Sequence, residues 1–154
     1  MTKIIISEES IFTDLEASNK EEALRILTDS LLEQGFIHDD FYDSLLNREQ
    51  NFPTGLESFD AGIAIPHTDP KHVKQDSIAV AVLEKPITFQ NMVDKSMSID
   101  VKIIFLLGLS QSTKHLNILR QIMGLIKEKG ALEEISNMSK SHLYSHLVEN
   151  LSTE

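Results

Sequence analysis

The chain has no cysteine, which removes disulfides, thiolate catalysis and cysteine-ligated zinc together and sits easily with a reducing cytoplasm. No apolar run approaches the about 18 to 20 residues of a membrane span, so direct membrane insertion is not expected. The opening Met1-Thr2-Lys3 is followed by only three isoleucines before Ser7 and Glu8, too short a run for a secretory leader, and export is not expected either. Basic residues are scarce: 14 Lys and Arg stand against 24 Asp and Glu, a formal net charge of −10. Such a surface repels nucleic acid and anionic lipid alike. It matches a basic patch on a partner protein, or serves only as a solubilising surface. Internal repeats, low-complexity tracts and a Gly-rich phosphate loop ending in Lys-Ser or Lys-Thr are also missing, and the last absence argues against direct nucleotide hydrolysis.

What remains is a globular composition, 41% apolar and 25% charged over 154 residues, enough to bury one core without metal or crosslink. One domain spanning residues 1–154 is expected, of mixed α/β class. A short extended segment, Ile4-Ile5-Ile6 or Ser10-Ile11-Phe12, opens the chain. Ser18 with Glu21 three residues on reads as a capping box, and Ala23, Leu24, Leu27 and Leu31 recur at helical spacing up to Gly35, which predicts a helix over about 19–34. Asp39 or Asp40 caps a second helix with Phe41, Leu45 and Leu46 on its apolar stripe, ending before Phe52-Pro53.

The middle of the chain turns to strand patterns: Gly62 to Ile65, Ser77 to Leu83, a short Ile87-Thr88-Phe89, and Asp100 to Leu109. Val101 to Leu107 is almost wholly apolar, as a central strand covered on both faces must be. About five strands in a mixed sheet, with helices on both faces, is the expected architecture. A long helix starts near Ser112 or Thr113 with Leu116, Leu119, Met123 and Ile126 buried and Gly130 as its stop; a short helical turn near Leu132 and a last helix after Ser139 complete the chain.

Six histidines are the main chemical resource. His38, His142 and His146 lie among polar residues and read as structural. His67 is placed differently: Pro66 forces Ile65 to be extended, so the imidazole emerges just past a strand end, where α/β sheets keep their sites. A neutral imidazole there is a competent nucleophile toward phosphorus; the alternative is a turn histidine bonded to the backbone. His115 falls in the first turn of the long helix, among amides that attract anions, or is merely solvated. Arg48, ending the second helix, could reach a phosphoryl group with its planar donors, or pair with a carboxylate. His67, Asp69 and His72 invite a metal-dependent hydrolase reading, but Pro70 breaks any helix that would align them and no H-E-x-x-H pattern is present.

Gly62-Ile63-Ala64-Ile65-Pro66-His67-Thr68 resembles the active-site motif of the fructose–mannitol class of enzyme IIA domains of the bacterial phosphotransferase system. Arg48-Glu49 and Phe52-Pro53-Thr54-Gly55-Leu56 upstream and His115-Leu116 downstream extend the likeness over essentially the whole chain. The resemblance implies that His67 is phosphorylated, that His115 helps hold or orient the phosphoryl group, and that Arg48 adds positive charge. It implies a donor, the histidine-containing phosphocarrier protein, and an acceptor, a cysteine of an enzyme IIB that works with a membrane IIC component, with no nucleotide, metal or other cofactor. Thr68 stands where fructose and mannitol members more often carry Gly or Ala, and the whole run looks most like galactitol-type components. A regulatory module of the same fold, acting by binding other proteins, is the alternative within the family.

Overall fold

A computed structural model describes residues 4–58 and 60–151, so Met1-Thr2-Lys3, on which the expectation of no leader partly rests, lies outside the described residues. Five strands form one mixed sheet: β1 (Ile11–Leu15), β2 (Gly55–Glu57), β3 (Gly62–Ala64), β4 (Ser77–Gln90) and β5 (Ser98–Gly108), in the order β1-β4-β5-β3-β2. β1 runs parallel to β4 and β3 parallel to β5, while β4 with β5 and β2 with β3 are antiparallel. β5 is the central strand. Its alternate residues Ile103, Phe105 and Leu107 join one core, and Val101, Ile104 and Leu106 join the other.

The two cores explain the helices. α1 (Lys20–Glu33) and α2 (Phe41–Asn51) lay Leu24, Leu27, Leu31, Phe41 and Leu45 on one face of the sheet. α3 (Ser112–Ile126), α4 (Ala131–Ser136) and α5 (Lys140–Asn150) cover the other with Ile118, Ile122, Leu132, Leu143 and Leu147. Each of these side chains is at most 1% exposed, and burying one contributes about 1.5–3 kcal/mol before chain entropy is counted. Among the described residues no helix is long and apolar enough to cross a membrane.

Several local expectations are corrected. The α1 cap is Asn19, whose side chain accepts from the Glu22 amide at 2.9 Å; Ser18-Glu21 and Asn19-Glu22 share one spacing, so the pattern alone could not choose between them. Of the two opening segments, Ile11–Leu15 is the strand, and Ile5 makes only a single parallel bridge to Ser77. Ser77–Leu83 and Ile87–Phe89 are one strand, not two: Glu84, Lys85 and Pro86 bulge outward, and Lys102 reaches across from β5 to bond the Leu83 and Glu84 carbonyls they leave unpaired. β2 is not among the strands expected from the sequence; it forms because Gly55 lets the backbone pass close to Gln90, whose carbonyl oxygen would lie 2.5 Å from any Cβ there.

α3 begins at Ser112 as expected, with Gln111 in the N-cap position making no side-chain cap bond, but it ends at Ile126, while Gly130 (φ +89°) opens α4. Its buried stripe is Ile118, Ile122 and Ile126. Leu116 is 53% exposed and Leu119 only partly buried, because this flank of α3 faces a cavity instead of the sheet.

Candidate active site

The cavity, about 370 Å³, opens where β3 ends and α3 begins, and is lined by Arg48, His67, Thr68, Ser112, His115 and Leu116 among others. The three residues singled out from sequence, far apart in the chain, therefore meet at one place. β3 hands the chain to Ile65 and Pro66; Leu107 of β5 donates its amide to the Pro66 carbonyl at 3.0 Å, and His67 forms a parallel bridge with Leu107. The imidazole of His67 is thus anchored to the central strand and not carried on a free loop.

His67 Nδ1 lies 2.9 Å from the Ile65 carbonyl oxygen. A carbonyl only accepts, so Nδ1 carries the proton and donates it, and in the neutral ring Nε2 keeps its lone pair. The backbone-bonded turn reading of His67 is met, and the same bond leaves the lone pair of the other ring nitrogen free. Burial holds the His67 pKa below the ordinary histidine value, and nearby Arg48 pushes the same way against the Ile65 bond.

His115 stands beside it, the two ring centroids 4.7 Å apart and the planes tilted by 35°. Burial, with His67 and Arg48 adding to it, pushes the His115 pKa down to about 4, so both rings are neutral at pH 7. Among the described residues its buried Nε2 has no hydrogen-bond partner and gains by meeting one in the cavity. The start of α3 is fixed by an ion pair outside the sequence reading: Asp76, fully buried in its side chain, accepts from Lys114 Nζ at 2.5 Å and from the Ser110 amide at 2.7 Å. Burial works to raise the Asp76 pKa, but these bonds outweigh it and hold it low.

Arg48 neither pairs with a carboxylate among the described residues nor caps a carbonyl; its guanidinium lies over the Phe52 ring at 5.4 Å and faces the cavity. Thr68, 3% exposed, shares a hydrogen bond with Ser44 of α2, a tie that Gly or Ala could not make. The metal reading finds no support in the arrangement. Asp69 accepts from the Lys71 amide at 3.0 Å, and buried His72 points Nδ1 at Asp40, 2.8 Å away. Asp40 therefore heads α2 as expected but spends its carboxylate on His72 and not on a cap. Among the described residues no three His, Asp or Glu side chains converge as a metal site would need.

Sequence reasoning missed the buried polar groups behind the site. Glu49, 3% exposed, accepts from the Thr54 amide at 2.9 Å and from the Thr54 hydroxyl at 2.8 Å, and that hydroxyl in turn accepts from the Ile65 amide at 3.2 Å. Glu49 and Thr54 stand in the sequence only as parts of a motif, and nothing in their spacing signals that they bond one another.

A mixed sheet here presents a neutral histidine with a free Nε2 lone pair beside a second histidine and an arginine, in an open cavity with room for an anionic group. Comparison with known proteins gives the class. Residues 4–150 match the family described as phosphoenolpyruvate-dependent sugar phosphotransferase system, EIIA 2, and the chain belongs to that family. It is similar to the galactitol-specific EIIA component of Escherichia coli K12, with 25% identity over 93% of this chain and 91% of that one. Among solved structures, the nitrogen regulatory protein IIA-Ntr of Neisseria meningitidis superposes with a TM-score of 0.76 at 26% identity, over 93% of this chain and 96% of that one. The Escherichia coli mannitol IIA, solved in complex with phosphorylated mannitol IIB, superposes with a TM-score of 0.73 at 17% identity, over 92% and 99%. The protein is a phosphoryl-carrying IIA component of the fructose–mannitol class.

Proposed function

We propose that His67 accepts a phosphoryl group from the histidine-containing phosphocarrier protein and passes it to a cysteine of a cognate IIB, which with a membrane IIC component takes up and phosphorylates a sugar or sugar alcohol. The observation that carries this reading is the bond from His67 Nδ1–H to the Ile65 carbonyl, which leaves Nε2 as the free nucleophile in the cavity. In the first transfer the Nε2 lone pair forms a bond to phosphorus as the donor's P–N bond breaks and the donor imidazole leaves with the electron pair. In the second, the IIB thiolate forms the P–S bond, the Nε2–P bond breaks, and Nε2 regains its lone pair. Nδ1 keeps its proton throughout.

Arg48 is proposed to compensate the charge spread over the transferring group, and His115 to orient it, with the N-terminal end of α3 adding to both. A neutral His115 holds the group loosely, as a carrier requires. Likeness to the galactitol-specific component supports galactitol as the sugar, and the carrier works in the cytoplasm with the rest of the system. The similarity to a nitrogen regulatory IIA supports a second reading, in which the phosphorylated protein acts by binding other proteins. Incubation with labelled phosphoenolpyruvate, enzyme I and the phosphocarrier protein tests the acceptance step: wild type takes up acid-labile label, and His67→Ala takes up none while keeping its fold. Label retained by His67→Ala contradicts the assignment. Discharge of the label to a IIB cysteine separates the transport reading from the regulatory one.

A further inference from the structure

We infer that Glu49 and Thr54 are positioning residues that free the Ile65 carbonyl for His67 and so set which imidazole nitrogen is nucleophilic; the link to catalysis rests on the carrier reading above. The β2–β3 ladder pairs Glu57 with Gly62, Leu56 with Ile63 and Gly55 with Ala64. One step further, Thr54 would face Ile65, and in an antiparallel pair of that kind each residue's amide donates to the other's carbonyl. The Ile65 amide does point toward Thr54, since it donates to that residue's hydroxyl at 3.2 Å, and the carbonyl of the same residue points to the same side of the strand. The ladder nevertheless stops. The Thr54 amide donates to Glu49 Oε2 at 2.9 Å, and the Thr54 hydroxyl donates to Glu49 Oε1 at 2.8 Å.

Glu49 therefore takes the backbone donor that continuation of the ladder would bring to the Ile65 carbonyl. That carbonyl accepts instead from His67 Nδ1–H at 2.9 Å. The Pro66 carbonyl, on the opposite side, is held by the Leu107 amide, so the segment cannot turn to offer another acceptor. Glu49, Thr54 and Ile65 are each at most 3% exposed, so water does not compete for these groups. The last turn of α2 thus supplies two adjacent residues with opposite tasks: Arg48 faces the cavity, and Glu49 faces inward to the strand end.

Long-range proton–nitrogen NMR of the His67 ring reads the tautomer directly and needs no partner protein. Wild type shows a proton on Nδ1 alone. Glu49→Leu, which fills the volume, and Thr54→Val, which removes the hydroxyl, populate the Nε2–H form, while Glu49→Gln and Thr54→Ser stay close to wild type. In phosphorylation by the donor protein the first two variants lose about tenfold or more in kcat with KM for the donor unchanged, and the conservative pair recovers it. A His67 ring still protonated only on Nδ1 in Glu49→Leu and Thr54→Val, or wild-type kcat in both, overturns the inference. If those variants fail to fold, Glu49→Ala decides: an Nε2–H population in the folded protein supports the inference, and a wild-type spectrum and rate overturn it. A shift of tautomer in a protein whose His67 accepts no label sinks the carrier reading alone.

Discussion

At the scale of single residues, His67 and His115 are held neutral for related reasons but with different consequences. Both are buried, and each feels Arg48; His115 also feels His67. A nucleophile whose pKa lies below the ordinary histidine value stays unprotonated as pH falls past that value. The rate of phosphoryl acceptance is therefore expected to fall at low pH with a midpoint below about 6.5; a decline centred at about pH 6.5 or higher in stopped-flow or quench-flow data would contradict the burial argument. His115 carries a second expectation. A phosphoryl group on the neighbouring ring puts negative charge within a few ångströms and opposes the burial effect, so the His115 pKa rises from about 4 on phosphorylation, measurable by NMR titration of both states. The sign for stability follows. In the unfolded chain these histidines bind protons near pH 6.5, but in the fold they do not, so the unfolded state binds more protons and stability is lost as pH falls from 6.5 toward about 4. His67, His115 and Arg48 were legible in the sequence because a proline, a helix start and a helix end each mark their places. Glu49 with Thr54 and Asp76 with Lys114 were not, since a buried bond between polar residues leaves no periodicity to read.

At the scale of elements, most boundaries follow from local chemistry. α2 stops before Pro53, and α5 begins where Ser139 accepts from the His142 amide at 3.2 Å. The misread strands share one physical cause: a strand partner decided what the local sequence left open. Glu84-Lys85-Pro86 looks like a break, yet the strand continues because β5 pairs with both flanks and Lys102 satisfies the bulge. Phe52-Pro53-Thr54-Gly55 looks like a turn, yet Gly55 starts β2 because its backbone passes against Gln90. Gly55→Ala is accordingly expected to destabilise the protein by about 1–3 kcal/mol, since the added methyl meets backbone that cannot move aside, and a denaturation midpoint equal to wild type would contradict this. Because β2 begins directly after Thr54, the same change should also disturb the His67 tautomer. The α3 stripe was misplaced for another reason. Leu116 and Leu119 have the spacing of core residues but line the cavity, and exposed apolar residues at a site look the same in sequence as buried ones.

At the scale of the whole molecule, the mixed sheet with helices on both faces was legible, because the apolar run of β5 required cover on both sides and the amphipathic helices supplied it. The strand order was not legible, since it depends on pairings between segments far apart in the chain. The surplus of acidic side chains, 24 against 14 basic, gives the molecule a field that attracts a basic face. Transfer from the phosphocarrier protein at low protein concentration should therefore slow as salt rises from about 0.02 to 0.2 M, mainly through encounter. A rate indifferent to salt over that range would remove steering from the account. The central claim is that the phosphoryl group resides on Nε2 of His67, and phosphorus and nitrogen NMR of the phosphorylated wild-type protein tests it most directly. The account predicts one phosphohistidine, on His67, bonded through Nε2 with Nδ1 still protonated; a phosphoryl group on Nδ1, or on any residue other than His67, would contradict it.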